Sequence, residues 1–204
     1  RASVADIEAG VVAQNVEAIA RAVGVGSAAL ALTTEAIRSG FIAGGVMEAP
    51  SARIVFDIRN PRAERWIANH ASELVTRIVE SQRDAIRITL DAGLQAGRNP
   101  RQTALDIVGR VGADGRRSGG IVGLTDQQAG FVANARAELS DPERMSNYFT
   151  RARRDKRFDS IVRKSMNEGV PLSNADIDRI TARYSDSLLQ LRGEAIARTE
   201  SLAS

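Results

Sequence analysis

From Pro61 onward the chain carries a helical repeat too long for anything but a rod. Ile67, Ala71, Leu74, Ile78, Ala85, Thr89 and Gly93 fall on one face, and Val75, Val79, Ile86 and Leu90 widen it. Asn60-Pro61 supplies the start signal, an N-cap followed by a proline whose missing N–H costs nothing at the first helical position. Glu73 and Arg77 add an i,i+4 pair of a few tenths of a kcal/mol. Unbroken to Ala96, the helix would be on the order of 50 Å long at 1.5 Å per residue.

Other stretches surround this rod with more helix. Ser3 to about Val23 reads as one helix, with Ile7, Val11, Val12, Ile19 and Val23 in its stripe. Ala28 to about Met47 reads as a second, weakened by glycines. Asn99-Pro100 repeats the start signal for a short helix. Thr125 with Gln128 forms a capping box ahead of Phe131, Val132, Ala135 and Leu139. Asp141-Pro142 opens a helix expected to run through a basic segment to about Asn167. Ser173 with Asp176 opens the last, striped by Ile177, Ile180, Tyr184, Leu188, Leu191 and Ala195. Strand signal is confined to Ser51–Asn60, where β-branched and aromatic residues cluster, with Ile121–Leu124 as a second short candidate. Aromatics make up only 4% of the chain, so the core must be built from Ala, Val, Leu and Ile, which suits closely packed helices better than a β-sandwich. The expected fold is therefore mainly α: an elongated helical bundle with one or two long helices and a small β element at about 52–58, with 119–124 as a further candidate. A division near Pro50 would separate an Ala/Gly-rich helical segment, 1–50, from a patterned domain, 51–204. Plain Ala-rich faces in the former suggest an interface.

The chemistry the sequence offers is narrow. Cysteine is absent, so disulfides and thiolate metal sites are excluded. His70 is the single histidine, placed inside the long helix with no nucleophile or acid positioned by spacing to complete a triad. No H-E-x-x-H and no Asp/Glu set with ligand spacing occurs. Asp176 and Asp178 point to opposite sides of a helix start and read as compensation of its dipole. No catalytic residue, metal or cofactor is expected. No apolar run reaches the roughly 18 residues of a membrane span; Gly26–Met47 comes nearest but is interrupted by Glu35 and Arg38. No membrane association is expected.

The stretch SGGIVGLT, Ser118–Thr125, raises the question of a phosphate cradle. A Walker loop would need Lys followed by Ser or Thr, and a dinucleotide fingerprint would need G-x-G-x-x-G; here the spacing is G-G-x-x-G. The reading is a structural turn and cap: Gly119 and Gly120 permit positive φ, Gly123 does so before the cap, and Thr125 satisfies the first free amides.

Charge is uneven. Residues 1–50 hold five acidic against three basic residues, whereas Arg144–Lys164 holds eight basic residues against Asp155 and Asp159. Arg151, Arg153, Arg154, Lys156, Arg157, Arg163 and Lys164 are the candidate contacts for DNA or an acidic partner. The same run could equally be a solvated helix face. If five phosphates were neutralised, affinity would fall with salt with a log–log slope of roughly −4.5, without sequence preference.

Five blocks, Phe56–Arg87, Asn99–Val111, Gly119–Leu139, Arg153–Asp178 and Arg183–Ser201, resemble in their order the phage Mu F-like minor head proteins, also called phage head morphogenesis proteins. The resemblance covers about 70% of the chain, and its single strings, such as Ile196-Ala197-Arg198-Thr199-Glu200, are weak one by one. It implies a non-enzymatic minor capsid protein of a tailed phage, present in several copies in the virion near the portal vertex and in the host cytoplasm during assembly. The implied partners are the portal protein and other head proteins, with packaged double-stranded DNA as a further, nonspecific one, and the implied roles extend to DNA packaging or ejection. Family members usually continue past the IARTE string, and the chain starts at Arg1, so further residues are expected at both ends. The alternative is a sequence-indifferent DNA-binding protein using the 144–164 segment.

Overall fold

In a computed structural model, the described residues are 3–25, 61–113 and 115–203. The expected helix at Ala28–Met47, the strand at 52–58 and the Asn60 cap lie outside them. The described chain is mainly helical: α1 (Val4–Val12), α2 (Val16–Ala22), α3 (Pro61–Gln95), α4 (Pro100–Val108), α5 (Asp126–Leu139), α6 (Met145–Tyr148), α7 (Asp159–Glu168) and α8 (Asn174–Ala203). A 3-10 turn spans Lys156–Phe158.

The long rod is α3, 35 residues from its proline to Gln95. Its C-terminal half packs along α5 and is buried at Ala85, Ile86 and Leu90, while Ile78 on the extended stripe is 41% exposed. Helix α8 runs antiparallel to α5: Arg136 meets Asp178 near the start of α8, and Arg192 reaches back to the Gly123 carbonyl ahead of α5. Against these, α1 packs on α4 and α2 on α3. Alanines line the core at positions 20, 85, 104, 129 and 135, which lets helix axes approach closely where aromatics are few. Among the described residues, Tyr148 and Tyr184 supply the buried rings.

Four local expectations are corrected. The first helix is two: Gln14 takes φ +49, Asn15 caps α2 by accepting from the Ala18 amide, and the reversal lets Gly10 lie against Ile19. A Cβ at Gly10 would stand 2.6 Å from Ile19 Cγ1, so the glycine admits the turn-back. The sheet is a two-stranded antiparallel ribbon, β1 (Arg110–Val111) with β2 (Arg117–Ser118), register Arg110↔Ser118 and Val111↔Arg117. Residues 119–124 form no strand; they follow the ribbon as a folded loop. The expected helix from Asp141 to Asn167 is broken into α6, an irregular stretch, the 3-10 turn and α7. On α5, Phe131 is 40% exposed rather than in the stripe, because Ala129, Val132, Ala135 and Leu139 define a buried face that turns it outward.

Candidate functional site

Five of the seven amides of the Gly119–Thr125 loop are spent internally. Gly119 N–H donates to Asp186 Oδ1 at 2.7 Å, Ile121 N–H to the Ile107 carbonyl at 2.9 Å, and Gly123 N–H to Gln82 Oε1 at 3.0 Å. Leu124 N–H donates to the Ile121 carbonyl, Thr125 N–H to Gln128 Oε1, and Asp126 N–H to Ser81 Oγ. Gln82 also donates to the Leu124 carbonyl, and Ser185 Oγ to the Gly120 carbonyl. Thr125 and Gln128 form the reciprocal capping box. An anion cradle needs several convergent free amides; here each of these is matched, and a carboxylate, Asp186, sits on the first. Gly119 has φ +75 and Gly123 φ +93, but Gly120 does not take positive φ. Glycine at 120 answers to space instead, since a Cβ would stand 2.5 Å from the Gly109 nitrogen.

Beneath this loop lies a cluster that spacing in the sequence does not display. Asp106 of α4 and Asp178 of α8 are bridged by three guanidiniums from three other places in the chain. Arg98 Nε lies 2.9 Å from Asp106 Oδ2 and its Nη2 3.0 Å from Asp178 Oδ1. Arg136 of α5 donates through Nη1 to Asp178 at 2.6 Å and through Nη2 to Asp106 and to Thr181 Oγ1, both at 3.1 Å. Arg110 of β1 reaches Asp178 Oδ2 at 2.8 Å and Asp106 Oδ1 at 3.3 Å. The Arg98 side chain is only 7% exposed and Asp106 11%. Burial pushes the Asp106 carboxyl above its ordinary value despite the pull of Arg136, Arg98 and Arg110. Burial would raise Asp178 too, but the hydrogen bond from Arg136 and the three positive charges hold it below the ordinary value. Asp178 is therefore a network carboxylate and not dipole compensation; Asp176 keeps the helix-start role through Ser173. A cavity of about 30 Å³ beside Arg98, Asp106, Arg136 and Thr181 holds about one water and nothing larger. Guanidiniums stay protonated, so the cluster's chemistry is that of a clamp.

The basic segment divides in two. Arg151 makes a two-pronged contact with Glu138, 2.8 and 2.7 Å, at 12% exposure. Arg154 does the same with Asp159 at 3.0 Å, and shares the Phe149 ring with Arg163, whose guanidinium carbon lies 5.1 Å from the centroid. Arg151 and Arg154 thus hold the fold together. Arg153 (4.0 Å from Glu194), Lys156, Arg157 (77% exposed, 2.6 Å from Asp155), Arg163 and Lys164 (3.9 Å from Glu168) remain at the surface. His70 lies within α3. Among the described residues no group of three or more His, Cys, Asp or Glu could hold a metal ion, and no helix is long and apolar enough to cross a membrane. No protein-family model, no curated protein and no solved structure matches the chain.

Proposed function

We propose that this chain is a non-enzymatic minor head protein of a tailed phage, acting in head assembly at the portal vertex. The observation that carries the reading is how the five sequence blocks resembling that family are fastened to one another. Gln82 of the first block holds Gly123 of the third. Asp106 and Arg110 of the second meet Arg136 of the third and Asp178 of the fourth. Arg192 and Asp186 of the fifth close on the same glycine loop. Residues within the resembling blocks thus join in welding the helices, as a scaffold defined by its shape requires, together with Arg98 and Arg151 outside the blocks. Sequence-indifferent DNA binding through residues 144–164 is the competing reading, reduced by the internal ion pairs of Arg151 and Arg154. Immunogold labelling of purified phage heads from a producing lysate, with quantitative mass spectrometry, tests it. A fixed low copy number at one vertex is the expected result; heads devoid of the chain would end the proposal.

A further inference from the structure

We infer that the chain carries a phosphate-backbone contact surface centred not on the basic segment alone but on its junction with α8, formed by Lys156, Arg157, Arg179 and Arg183. Two of these four cations come from the last helix, outside the 144–164 run. The Arg179 guanidinium lies 5.4 Å from the Phe158 ring centroid, which sets it beside the 3-10 turn that carries Lys156 and Arg157. Arg183 follows one helical turn on, about 6 Å along the axis, and its charge is felt at Asp155, the residue that caps the same turn. All four side chains belong to exposed residues. Lys156 and Arg183 make no ion pair among the described residues, while Arg157 and Arg179 each hold one acid, Asp155 and Asp176, leaving the patch with net positive charge.

The composition of the patch selects its partner. Ile177 and Ile180, between and beside the two arginines, are buried, and Phe158 is half-buried under Arg179. Protein interfaces centre on apolar, aromatic area with charge at the rim; this face has charge at its centre. Guanidiniums spaced along a helix, the first of them held over the Phe158 ring, suit successive phosphates of a double-stranded nucleic acid, contacted without base reading. The surface stands apart from the head-assembly reading, since a chain of any role would carry it.

The test is fluorescence anisotropy of a labelled random-sequence DNA duplex titrated with the full chain over a salt series. The variants are Lys156→Glu/Arg183→Glu, which breaks no internal pair, Arg179→Gln, and Arg77→Glu on α3 as a distant control, with folding checked by circular dichroism. With four phosphates neutralised the log–log salt slope is expected near −3.6. The double variant should weaken binding at least about tenfold at low salt and roughly halve the slope, while Arg77→Glu changes neither. No duplex binding at low salt, equal binding by the folded double variant, or capture of a labelled poly-glutamate but not of duplex would each overturn the inference. Duplex binding by a chain absent from phage heads would support this surface and refute the head role.

Discussion

Arg136 grips both carboxylates of the buried cluster at once, and the consequences of its removal follow from what would be left behind. Arg136→Met removes the hydrogen bonds to both carboxylates and to Thr181 but leaves Arg98 and Arg110 to balance the two acids, so a loss of about 1–3 kcal/mol is expected in urea denaturation. Arg136→Lys should recover little, because one ammonium cannot span two carboxylates and Thr181 as the fork does. The two acids should also respond to pH in opposite directions. Asp106 titrates above the ordinary value of 3.8, so its contribution is full below 3.8 and is lost as pH rises through its raised value. Asp178 titrates below 3.8, so its contribution is present above that value and is lost as pH falls through its lowered one. Asp106→Asn should therefore flatten the stability profile above pH 3.8 and Asp178→Asn the profile below it; superimposable profiles for wild type and both variants would contradict the assignment. A third residue-scale contrast concerns glycine. A Cβ at Gly119 would stand 2.3 Å from Ala182 Cβ on a backbone at φ +75, so Gly119→Ala should cost at least about 2 kcal/mol. At Gly130, inside α5 with nothing within 4 Å, the same change should stabilise by about 0.4–1 kcal/mol. Equal denaturation midpoints for the two alanine variants would refute the geometry.

Among elements, the stretch from Asp141 to Glu168 separates what local sequence can announce from what it cannot. The caps at Asn99, Thr125 and Ser173 are legible because each needs only a side chain and an amide two or three residues away. The break after α6 has only a weak local signal: Asp155 caps the 3-10 turn that follows by accepting from the Arg157 amide, but no glycine or proline lies between Tyr148 and Phe158. The chain leaves the helix there because Arg151 turns to meet Glu138, thirteen residues back, and Arg154 to meet Asp159. For the same reason the cluster is not legible as a whole: Arg110 and Arg98 lie four and eight residues from Asp106, but the contacts that bring in Arg136 and Asp178 span 30 to 80 residues. Asn15, by contrast, is a cap residue inside an apparently continuous helix, and that signal could have located the α1–α2 turn. The split of the basic segment yields a direct comparison. Arg151→Met strands the buried Glu138 carboxylate and should cost about 3–5 kcal/mol. Arg157→Met should leave the unfolding midpoint where it is, since that side chain is 77% exposed. Similar midpoints for the two variants would mean that the segment is a solvated face throughout.

On the scale of the whole molecule, the question is whether the first 25 residues are an appendage or part of the same cooperative body. The acidic, Ala-rich character of residues 1–50 suggested a separate piece, yet Ile7 and Ile19 are completely buried and join one core cluster with Ile86, Ile107 and Ile180. Glu17 pairs with Arg83 at 2.9 Å and Glu8 with Arg101 at 3.8 Å, so α2 is fastened to α3 and α1 to α4. Neither ion pair is buried enough to contribute much; the apolar contacts must carry the coupling. Ile19→Ala would delete most of a fully enclosed side chain and should cost about 2–5 kcal/mol. If the core is one unit, that loss must register far from the substitution. Hydrogen exchange of the α8 amides around Ile180 and Tyr184, which touch neither α1 nor α2 through any ion pair, should then accelerate by the factor the global destabilisation dictates. Exchange at α8 that stays unchanged while α1 and α2 lose protection would mean that the amino-terminal helices open by themselves, and that the body welded by Arg136 folds without them.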